Sequence, residues 1–279
     1  MDYAGILSRF STAVPNPANY GHSVRQLYPV PFDSVDPVDA YLSDMRPAPV
    51  HRPWLMMNMV SSADGASSVD GLSGGLGGDG DHEAFRAIRA SCDWIVVGAQ
   101  TVRDERYRMP QPNRQAAVAR TNRGWDLAPR LAVVSASGRF DPDLPLFTED
   151  SAHRPLIITG DQPDPAAHDL LGHRAEWHTI AGTPTPANIL EALADRGATT
   201  VLLEGGPRLN GQFVAAGLID EVCVTFSPHL VGGASPRIVA GGEQGIAAPL
   251  QLTRLLEHEG SLIARYLCDR SHDAPLPGT

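Results

Sequence analysis

Short apolar runs, each closed by a turn signal and separated from the next by a helical pattern, constrain the fold of this chain more than any other feature. Beyond residue 50 the runs of strand length lie at 54–60, 94–97, 131–134, 156–159, 200–204 and 222–226. Between some of them apolar residues recur at helical spacing, as at 82–91 and 185–193. Strands that alternate with helices predict an α/β fold whose mostly parallel sheet is covered on both faces.

The segments on either side of this pattern are predicted separately. Residues 250–268, with a Glu-Gly pair at 259–260, predict an antiparallel hairpin that closes the sheet. Residues 1–50 are rich in Pro, Asn, Ser and Tyr and are predicted to form a partly irregular N-terminal extension with one helix at 36–45, followed by the α/β domain over 51–279. Irregular structure is expected at the glycine-dense 71–80, and surface loops at 115–129 and 136–153.

The charge of the chain excludes some classes of partner and chemistry. It has 22 basic and 32 acidic residues, a formal net charge of −10. Because binding to phosphate backbones needs a positive field, nucleic acid is not expected as a partner. Every basic residue is Arg. The absence of Lys excludes a Walker-type phosphate lysine, a Schiff-base lysine and a lysine general base.

The three cysteines, Cys92, Cys223 and Cys268, are far apart and form neither a CxxC pair nor a Cys/His cluster. No disulfide framework and no metal site are therefore expected. The first ten residues lack the basic region and long apolar stretch of a signal peptide. No stretch approaches transmembrane length. We therefore expect a cytoplasmic chain without a membrane partner.

Glycine and hydroxyl residues follow two of the predicted strands at the place where ligands bind to an open α/β sheet. Gly205 and Gly206 precede a predicted helix that begins at Pro207. They would let a backbone approach a pyrophosphate closely, although a tight strand–helix connection uses the same residues. Gly98 ends another strand, and Thr101 lies where a helix should begin, so its hydroxyl could cap that helix or bind a phosphate.

A third strand end carries Ser135, with Arg139 four residues later. A hydroxyl and a guanidinium at this spacing could hold the 2′-phosphate of an adenosine by charge-assisted hydrogen bonds. A solvated surface arginine is an equally good interpretation of Arg139.

Four segments, taken in order, resemble the reductase half of the bifunctional enzyme of riboflavin biosynthesis, which belongs to the dihydrofolate-reductase-like superfamily. They are 62–65 (Ser-Ala-Asp-Gly), 89–102 (with Asp-Trp-Ile-Val-Val-Gly-x-x-Thr-Val), 203–209 (Leu-Glu-Gly-Gly-Pro-x-Leu) and 218–221 (Leu-Ile-Asp-Glu). The resemblance spans roughly 53–268 and implies a dihydrofolate-reductase-like three-layer α/β/α fold. The His-x-Glu and Pro-Cys-x-x-Cys signature of the partner deaminase does not occur, so we expect a reductase without a deaminase domain.

The resemblance also implies that NADPH is the cofactor. In the family, residues matching Val60 and Ser61 line the nicotinamide, Ser135 matches a residue at the adenosine end, and residues matching 206–212 wrap the pyrophosphate. The implied cofactor contacts are Val60, Ser61, Gly98, Thr101, Val102, Glu105, Ser135, Gly205, Gly206, Pro207, Arg208 and Leu209.

The implied substrate-binding residues are Asn58, Ser73, Arg89 and Glu204. The resemblance assigns Arg89 to a substrate phosphate and Glu204 to orientation of the pyrimidine, while Asp64 would hold the loop that covers the nicotinamide. Glu204 and Asp64 are therefore assigned to the catalytic centre. Each has a simpler interpretation: Glu204 could cap the next helix, Arg89 could be an exposed helix residue and Asp64 could be a turn residue.

Two departures from the family pattern lie near the expected substrate pocket. The family usually has a lysine where this chain has Asn58, and the usual Asp-Asp-Pro after the Thr-Val motif is Glu105-Arg106-Tyr107 here. Asn58 cannot supply a positive charge. The fold and cofactor are therefore better determined than the substrate.

We predict an NADPH-dependent reductase, specifically the 5-amino-6-(5-phosphoribosylamino)uracil reductase of riboflavin biosynthesis. Three alternatives remain open: reduction of dihydrofolate or another pterin, reduction of a different carbonyl or imine, and binding of NADPH by a non-catalytic regulator. The partner would be a phosphorylated pyrimidine or a pterin. The resemblance also implies a homodimer, and an exposed hairpin edge gives a physical route to such pairing.

Overall fold

Ten strands form a single sheet in the part of the chain that the computed structural model describes, residues 23–241 and 247–269. The strands are β1 (Arg25–Tyr28), β2 (Trp54–Ser62), β3 (Trp94–Gly98), β4 (Arg130–Val134), β5 (Leu156–Thr159), β6 (Glu176–Thr179), β7 (Thr200–Leu203), β8 (Glu221–Ser227), β9 (Leu250–His258) and β10 (Ser261–Cys268). Their order across the sheet is β1-β9-β10-β8-β2-β7-β3-β4-β5-β6. The strands from β8 to β6 run parallel, and β10, β9 and β1 add an antiparallel edge. The predicted sheet and hairpin are confirmed.

Eight α-helices connect these strands within the same described residues. They are α1 (Pro37–Leu42), α2 (Asp79–Ala90), α3 (Ala99–Asp104), α4 (Arg114–Thr121), α5 (Pro145–Thr148), α6 (Pro165–Leu171), α7 (Pro186–Ala194) and α8 (Pro207–Ala215), with a short 3₁₀ turn at Gly172–Arg174. The predicted capping threonine is present, since Thr185 accepts a hydrogen bond from the Asn188 N–H at the start of α7. Pro186 follows at the first helical position, where its missing N–H has no cost.

Side chains on the two faces of the sheet pack into two separate cores. On β3, Ile95 and Val97 pack with α1 and α2 on one face, while Val96 packs with α7 and α8 on the other. This alternation follows from the two-residue period of a strand, and it explains why the central strands are mostly apolar. The predicted three-layer α/β/α arrangement is therefore confirmed.

The N-terminal segment is attached to the closing hairpin. Strand β1, which has no apolar run to predict it, pairs antiparallel with β9 through Arg25–Glu257 and Gln26–Leu256. Helix α1 lies inside the helix predicted at 36–45 and buries Tyr41 in the core. The prediction of an exposed hairpin edge is wrong where β1 covers β9. The domain boundary at residue 50 stays a prediction, and residues 1–22 and 270–279 lie outside the described part.

Buried ion pairs reinforce this attachment. Glu221, at the start of β8, accepts hydrogen bonds from the guanidinium groups of Arg46 and Arg265 at 2.8 to 3.0 Å. Asp44 contacts Arg254 at 2.8 Å and Arg265 at 3.2 Å. The Glu221 side chain is fully buried. These charges tie the segment before β2 to the hairpin at the other end of the chain.

Two predicted surface loops contain helices. The segment 115–129 overlaps α4, and 136–153 contains α5 with Phe147 buried. The polar sequence of α4 suggested exposure, but the Arg120 guanidinium is buried and donates to the carbonyl oxygens of Ala90 and Cys92. The irregular segment predicted at 71–80 ends at residue 78, because α2 begins at Asp79. No helix in the described residues is both long and apolar enough to cross a membrane.

Candidate active site

A cleft of about 600 Å³ lies at the carboxyl ends of β2, β7 and β3. This is the edge where ligands bind to an open parallel sheet. The sequence-predicted residues that line it are Asn58, Val60, Ser73, Arg89, Thr101, Glu105, Glu204, Gly206 and Pro207. Residues assigned from the sequence to cofactor and to substrate therefore share one cavity.

The two predicted glycine turns meet in this cleft. Strands β3 and β7 are neighbours, and the Gly98 N–H donates to the Gly205 carbonyl oxygen at 2.6 Å. A Cβ at Gly206 would lie 2.8 Å from the Thr101 hydroxyl oxygen, which is too close for any other residue type without a shift. The peptide bond between Gly205 and Gly206 is cis.

The start of α8 fits the pyrophosphate of a dinucleotide. Gly206 is its N-cap and supplies no side-chain acceptor, and Pro207 occupies the first helical position. The first N–H groups of a helix lack intrahelical partners and carry a partial positive charge, so those of Arg208 and Leu209 suit an anion. The Arg208 side chain is exposed, and the Leu209 side chain packs in the core.

Arg89, Glu204 and Tyr107 form a hydrogen-bonded cluster at the base of the cleft. The Arg89 guanidinium donates from Nε to Glu204 Oε1 at 2.7 Å and from Nη2 to Oε2 at 2.6 Å. The Tyr107 hydroxyl donates to Glu204 Oε2 and accepts from Arg89 Nη2. The Glu204 side chain is 3% exposed and that of Arg89 is 20% exposed. The guanidinium carbon also lies 4.1 Å from the centroid of the Phe85 ring.

The charges in this cluster reinforce one another. Burial acts to lower the pKa of Arg89, but the adjacent Glu204 carboxylate and Tyr107 outweigh it and raise the pKa above the usual value. Burial, together with the Glu204 charge, raises the pKa of Tyr107. The guanidinium therefore stays charged and the phenol stays a neutral hydrogen-bond donor. Sequence reasoning gave Arg89 and Glu204 separate roles and treated Tyr107 only as a departure, whereas the structure joins all three.

Two further contacts hold loops beside the cleft. The Ser73 N–H donates to Glu105 Oε1 at 2.7 Å, which ties the glycine-rich loop to the end of α3. Asp64 accepts from the Ser62 hydroxyl at 2.5 Å and from the Gly232 N–H at 2.7 Å. These hydrogen bonds lower the pKa of Asp64 to about 2, and the one from Ser62 has the largest effect. Asp64 thus anchors the turn after β2 to the loop that contains Gly232.

Ser135 directly follows β4, and residues 139–141 of the same loop line a second cavity of about 380 Å³. Its buried hydroxyl accepts from the Gly138 N–H at 3.0 Å. The cavity is lined by Arg103, Arg139 and Asp164, among others. Arg139 pairs with Asp164, and Arg103 Nη2 donates to the Arg139 carbonyl oxygen at 2.7 Å.

Comparison with known proteins identifies the family. Residues 53–261 match the model of the RibD C-terminal domain. The chain belongs to the RibD C-terminal domain family. The resemblance seen in the sequence is therefore confirmed.

Relatives of the chain differ in how much of their own length it matches. A 2,5-diamino-6-ribosylamino-4(3H)-pyrimidinone 5′-phosphate reductase of Methanothermobacter thermautotrophicus is 30% identical over 223 residues, which cover 77% of this chain and 98% of that protein. The riboflavin biosynthesis protein RibD of Mycobacterium tuberculosis is 29% identical over 198 residues, or 71% of this chain and 48% of RibD. The chain thus matches about half the length of RibD. These names agree with the predicted reductase of riboflavin biosynthesis.

A solved structure shows the same fold. The pyrimidine reductase-like protein from Corynebacterium diphtheriae superposes with a TM-score of 0.76 at 24% sequence identity, covering 85% of this chain and all of the other. At this identity the likeness supports the fold alone.

The structure also places the remaining residues that were predicted to bind cofactor or substrate in this RibD-type domain. Asn58 lies on β2 and faces the cleft without adding a charge. The Ser61 hydroxyl is buried and donates to the Ser62 carbonyl oxygen, and Val102 packs in the core. In the described residues, no group of three or more His, Cys, Asp or Glu side chains is placed to hold a metal ion.

Proposed function

We propose that the chain is an NADPH-dependent reductase of a phosphoribosylaminopyrimidine in riboflavin biosynthesis. The observation that carries the proposal is the single cleft in which the two glycine turns face the Arg89–Glu204–Tyr107 cluster. It offers an anion site for a dinucleotide beside a buried polar site for a heterocycle. The matches to named pyrimidinone phosphate reductases support the same assignment.

The cofactor would lie across the two turns. Its pyrophosphate would meet the start of α8, and its nicotinamide would lie against Val60 and Ser61. When bound, a reduced nicotinamide supplies the hydride that converts the ribosylamino carbon C1′ to the ribitylamino form. The chain fixes the distance between this hydride and the carbon, which is the main contribution of a protein to such a reaction.

The substrate would lie along α2 and over the cluster. Arg89 and Glu204 act as one unit, because each holds the other in a fixed orientation. Their unit, with the Tyr107 hydroxyl, would recognise the polar edge of the pyrimidine. Arg106 and Arg108 are exposed at the rim of the cleft and would meet the 5′-phosphate.

The first test is oxidation of NADPH in the presence of each candidate substrate. We expect turnover with 5-amino-6-(5-phosphoribosylamino)uracil or with its 2,5-diamino counterpart. The rate with dihydrofolate should be at least about 100-fold lower, because a pocket that hydrogen-bonds one substrate keeps buried polar groups unpaired when a different substrate binds. Absorbance at the nicotinamide band follows the reaction. Turnover with dihydrofolate alone would assign the chain to pterin reduction, and NADPH binding without any turnover would favour a regulator.

Arg103 and Arg139 support NADPH rather than NADH. Both residues line the second cavity, and Arg139 lies four residues after Ser135, the proposed contact at the adenosine end. Arg103→Ala is expected to weaken NADPH binding roughly 10-fold to 100-fold, because a hydrogen bond to a charged group contributes about 1.5–3 kcal/mol. NADH binding should hardly change, and fluorescence titration measures both. The exposed Arg123→Ala serves as the matched control; equal losses for NADPH and NADH would contradict the assignment.

A homodimer and a cytoplasmic location are also part of the proposal. Phe226 on β8 and Leu262 on β10 are exposed and directly paired across the strands, which supplies an apolar surface for a second copy.

A further inference from the structure

Helix α2 carries a carboxyl group into the cleft that the proposed binding roles do not use. Asp81, Phe85 and Arg89 all line the cavity and are spaced four residues apart, so they form one row on the helix. At 1.5 Å per residue, the row extends for about 12 Å. Arg89 lies at the end occupied by the cluster, and Asp81 lies at the other end.

The position of Asp81 is fixed from two sides. The Thr225 side chain on β8 lies close enough to its carboxylate to act on its pKa, and Thr225 pairs in register with Val60 on β2. From the other side the glycine-rich loop passes so close that a Cβ at Gly77 would lie 2.8 Å from Asp81 Oδ2. The carboxyl group is therefore held over the part of the sheet where Val60 would meet the nicotinamide.

The other carboxylates that line the cleft are already engaged. Glu204 is paired with Arg89, Glu105 accepts from the Ser73 N–H, and Asp104 accepts from the Gln100 amide at 2.7 Å. In the described part of the chain, Asp81 forms no ion pair with an arginine. It is thus the cleft carboxyl whose charge is least stabilised.

We propose that Asp81 donates the proton that the reduction requires, an inference that rests on the proposed function. In the open-chain imine form of the substrate, C1′ receives a hydride from the reduced cofactor, which is thereby oxidised. The π electrons of the C1′=N bond move to nitrogen, the O–H bond of Asp81 breaks, and a new N–H bond forms. The Asp81 carboxylate then regains a proton from water.

The surroundings of Asp81 favour the acid form at the start of this step. Burial raises the pKa of Asp81, and this effect exceeds the opposing ones of the Thr225 side chain and the His82 charge. The groups that act on it are His82 on its own helix and Thr225 on β8. The His258 ring on β9 lies against the neighbouring Gly80. A general acid works in its protonated form, so turnover should fall as the pH rises through the pKa of Asp81.

Asp81→Asn is the test, with Asp79→Asn as the matched control. Both residues lie in the first turn of α2, where the helix dipole stabilises a negative charge. Asp79, however, is exposed and outside the cleft. We expect Asp81→Asn to lower kcat about 100-fold or more, to change KM little and to remove the fall of kcat with rising pH. Asp79→Asn should leave all three unchanged. The ¹³C NMR titration of the Asp81 carboxyl in the free enzyme should give the pKa seen in the kcat/KM profile of the wild type.

The two proposals fail differently in this experiment. If Asp81→Asn keeps the wild-type kcat and pH profile, the proton-donor role is overturned and the proposed function stands. An equal loss of kcat in both variants would show a role in helix stability instead, and a carboxyl pKa that does not match the profile would likewise overturn the assignment. If the wild type itself turns over no pyrimidine, the proposed function fails and the inference fails with it.

Discussion

Replacing Glu204 with glutamine is expected to lower kcat/KM for the pyrimidine by about 100-fold or more while leaving NADPH affinity nearly intact. The carboxylate holds Arg89 through two charge-assisted hydrogen bonds and accepts a third from Tyr107. An amide carries no charge and presents one oxygen, so the buried guanidinium loses its counter-charge and its fixed orientation. Loss of one partner of a buried pair costs about 3–5 kcal/mol, which is more than enough for this effect.

Two matched variants separate recognition from a general loss of structure. Glu191→Gln removes an exposed carboxylate on α7, outside the cleft, and should leave the kinetics unchanged. Tyr107→Phe keeps the ion pair but removes the hydroxyl, and an intermediate loss is expected. Steady-state kinetics and NADPH titration provide the measurements, and circular dichroism checks the fold. Wild-type turnover in Glu204→Gln would remove the role assigned to this carboxylate.

Glu221→Gln is expected to have the largest effect on stability. Its carboxylate is fully buried and shared by Arg46 and Arg265, so the variant leaves two guanidinium groups without their main counter-charge. We expect the free energy of unfolding to fall by about 3–5 kcal/mol near neutral pH. Urea unfolding followed by circular dichroism measures the change. The exposed Glu191→Gln on α7 is the control, for which a change within about 0.5 kcal/mol is expected.

The same carboxylate should make the stability depend on acid pH. Burial raises the pKa of Glu221, but the hydrogen bonds and charges of Arg265 and Arg46 outweigh it and hold the pKa at about 2 instead of the usual 4.5. Since the folded-state pKa is the lower one, its contribution of about 3 kcal/mol is complete above pH 4.5 and is lost as the pH falls towards 2. The stability difference between the wild type and Glu221→Gln should shrink over this range. A difference that stays constant with pH would contradict the buried-charge explanation.

The strands at the centre of the sheet could be predicted because both of their faces are buried. β3, β5 and β7 are mostly apolar for that reason. The two edge strands, β1 and β6, have the mixed sequences Arg-Gln-Leu-Tyr and Glu-Trp-His-Thr and carry no such signal. The local sequence of these two strands cannot be distinguished from that of a loop, because their pairing depends on a partner strand elsewhere in the chain.

The candidate site was predictable only where local motifs exist. The glycine turns and the carboxylate after β7 directly follow apolar runs, and the end of such a run can be located in the sequence. Tyr107 and Arg120 gained their roles from long-range contacts: the tyrosine meets Glu204 across 97 residues, and the arginine binds a carbonyl oxygen 30 residues away. Asp81 was passed over because it lies between the glycine-dense stretch at 71–80 and the helical pattern that begins at residue 82.

The direct hydrogen bond between the Gly98 and Gly205 turns has a consequence for the rates of ligand entry. Because the two walls are fastened together, the dinucleotide should enter a preformed groove without a separate closing step. The opposite wall is fastened differently, since the loop around Ser73 is joined to α3 by the contact with Glu105. Entry of the substrate would then depend on this loop. The cofactor and the substrate would therefore enter the cleft from two different sides.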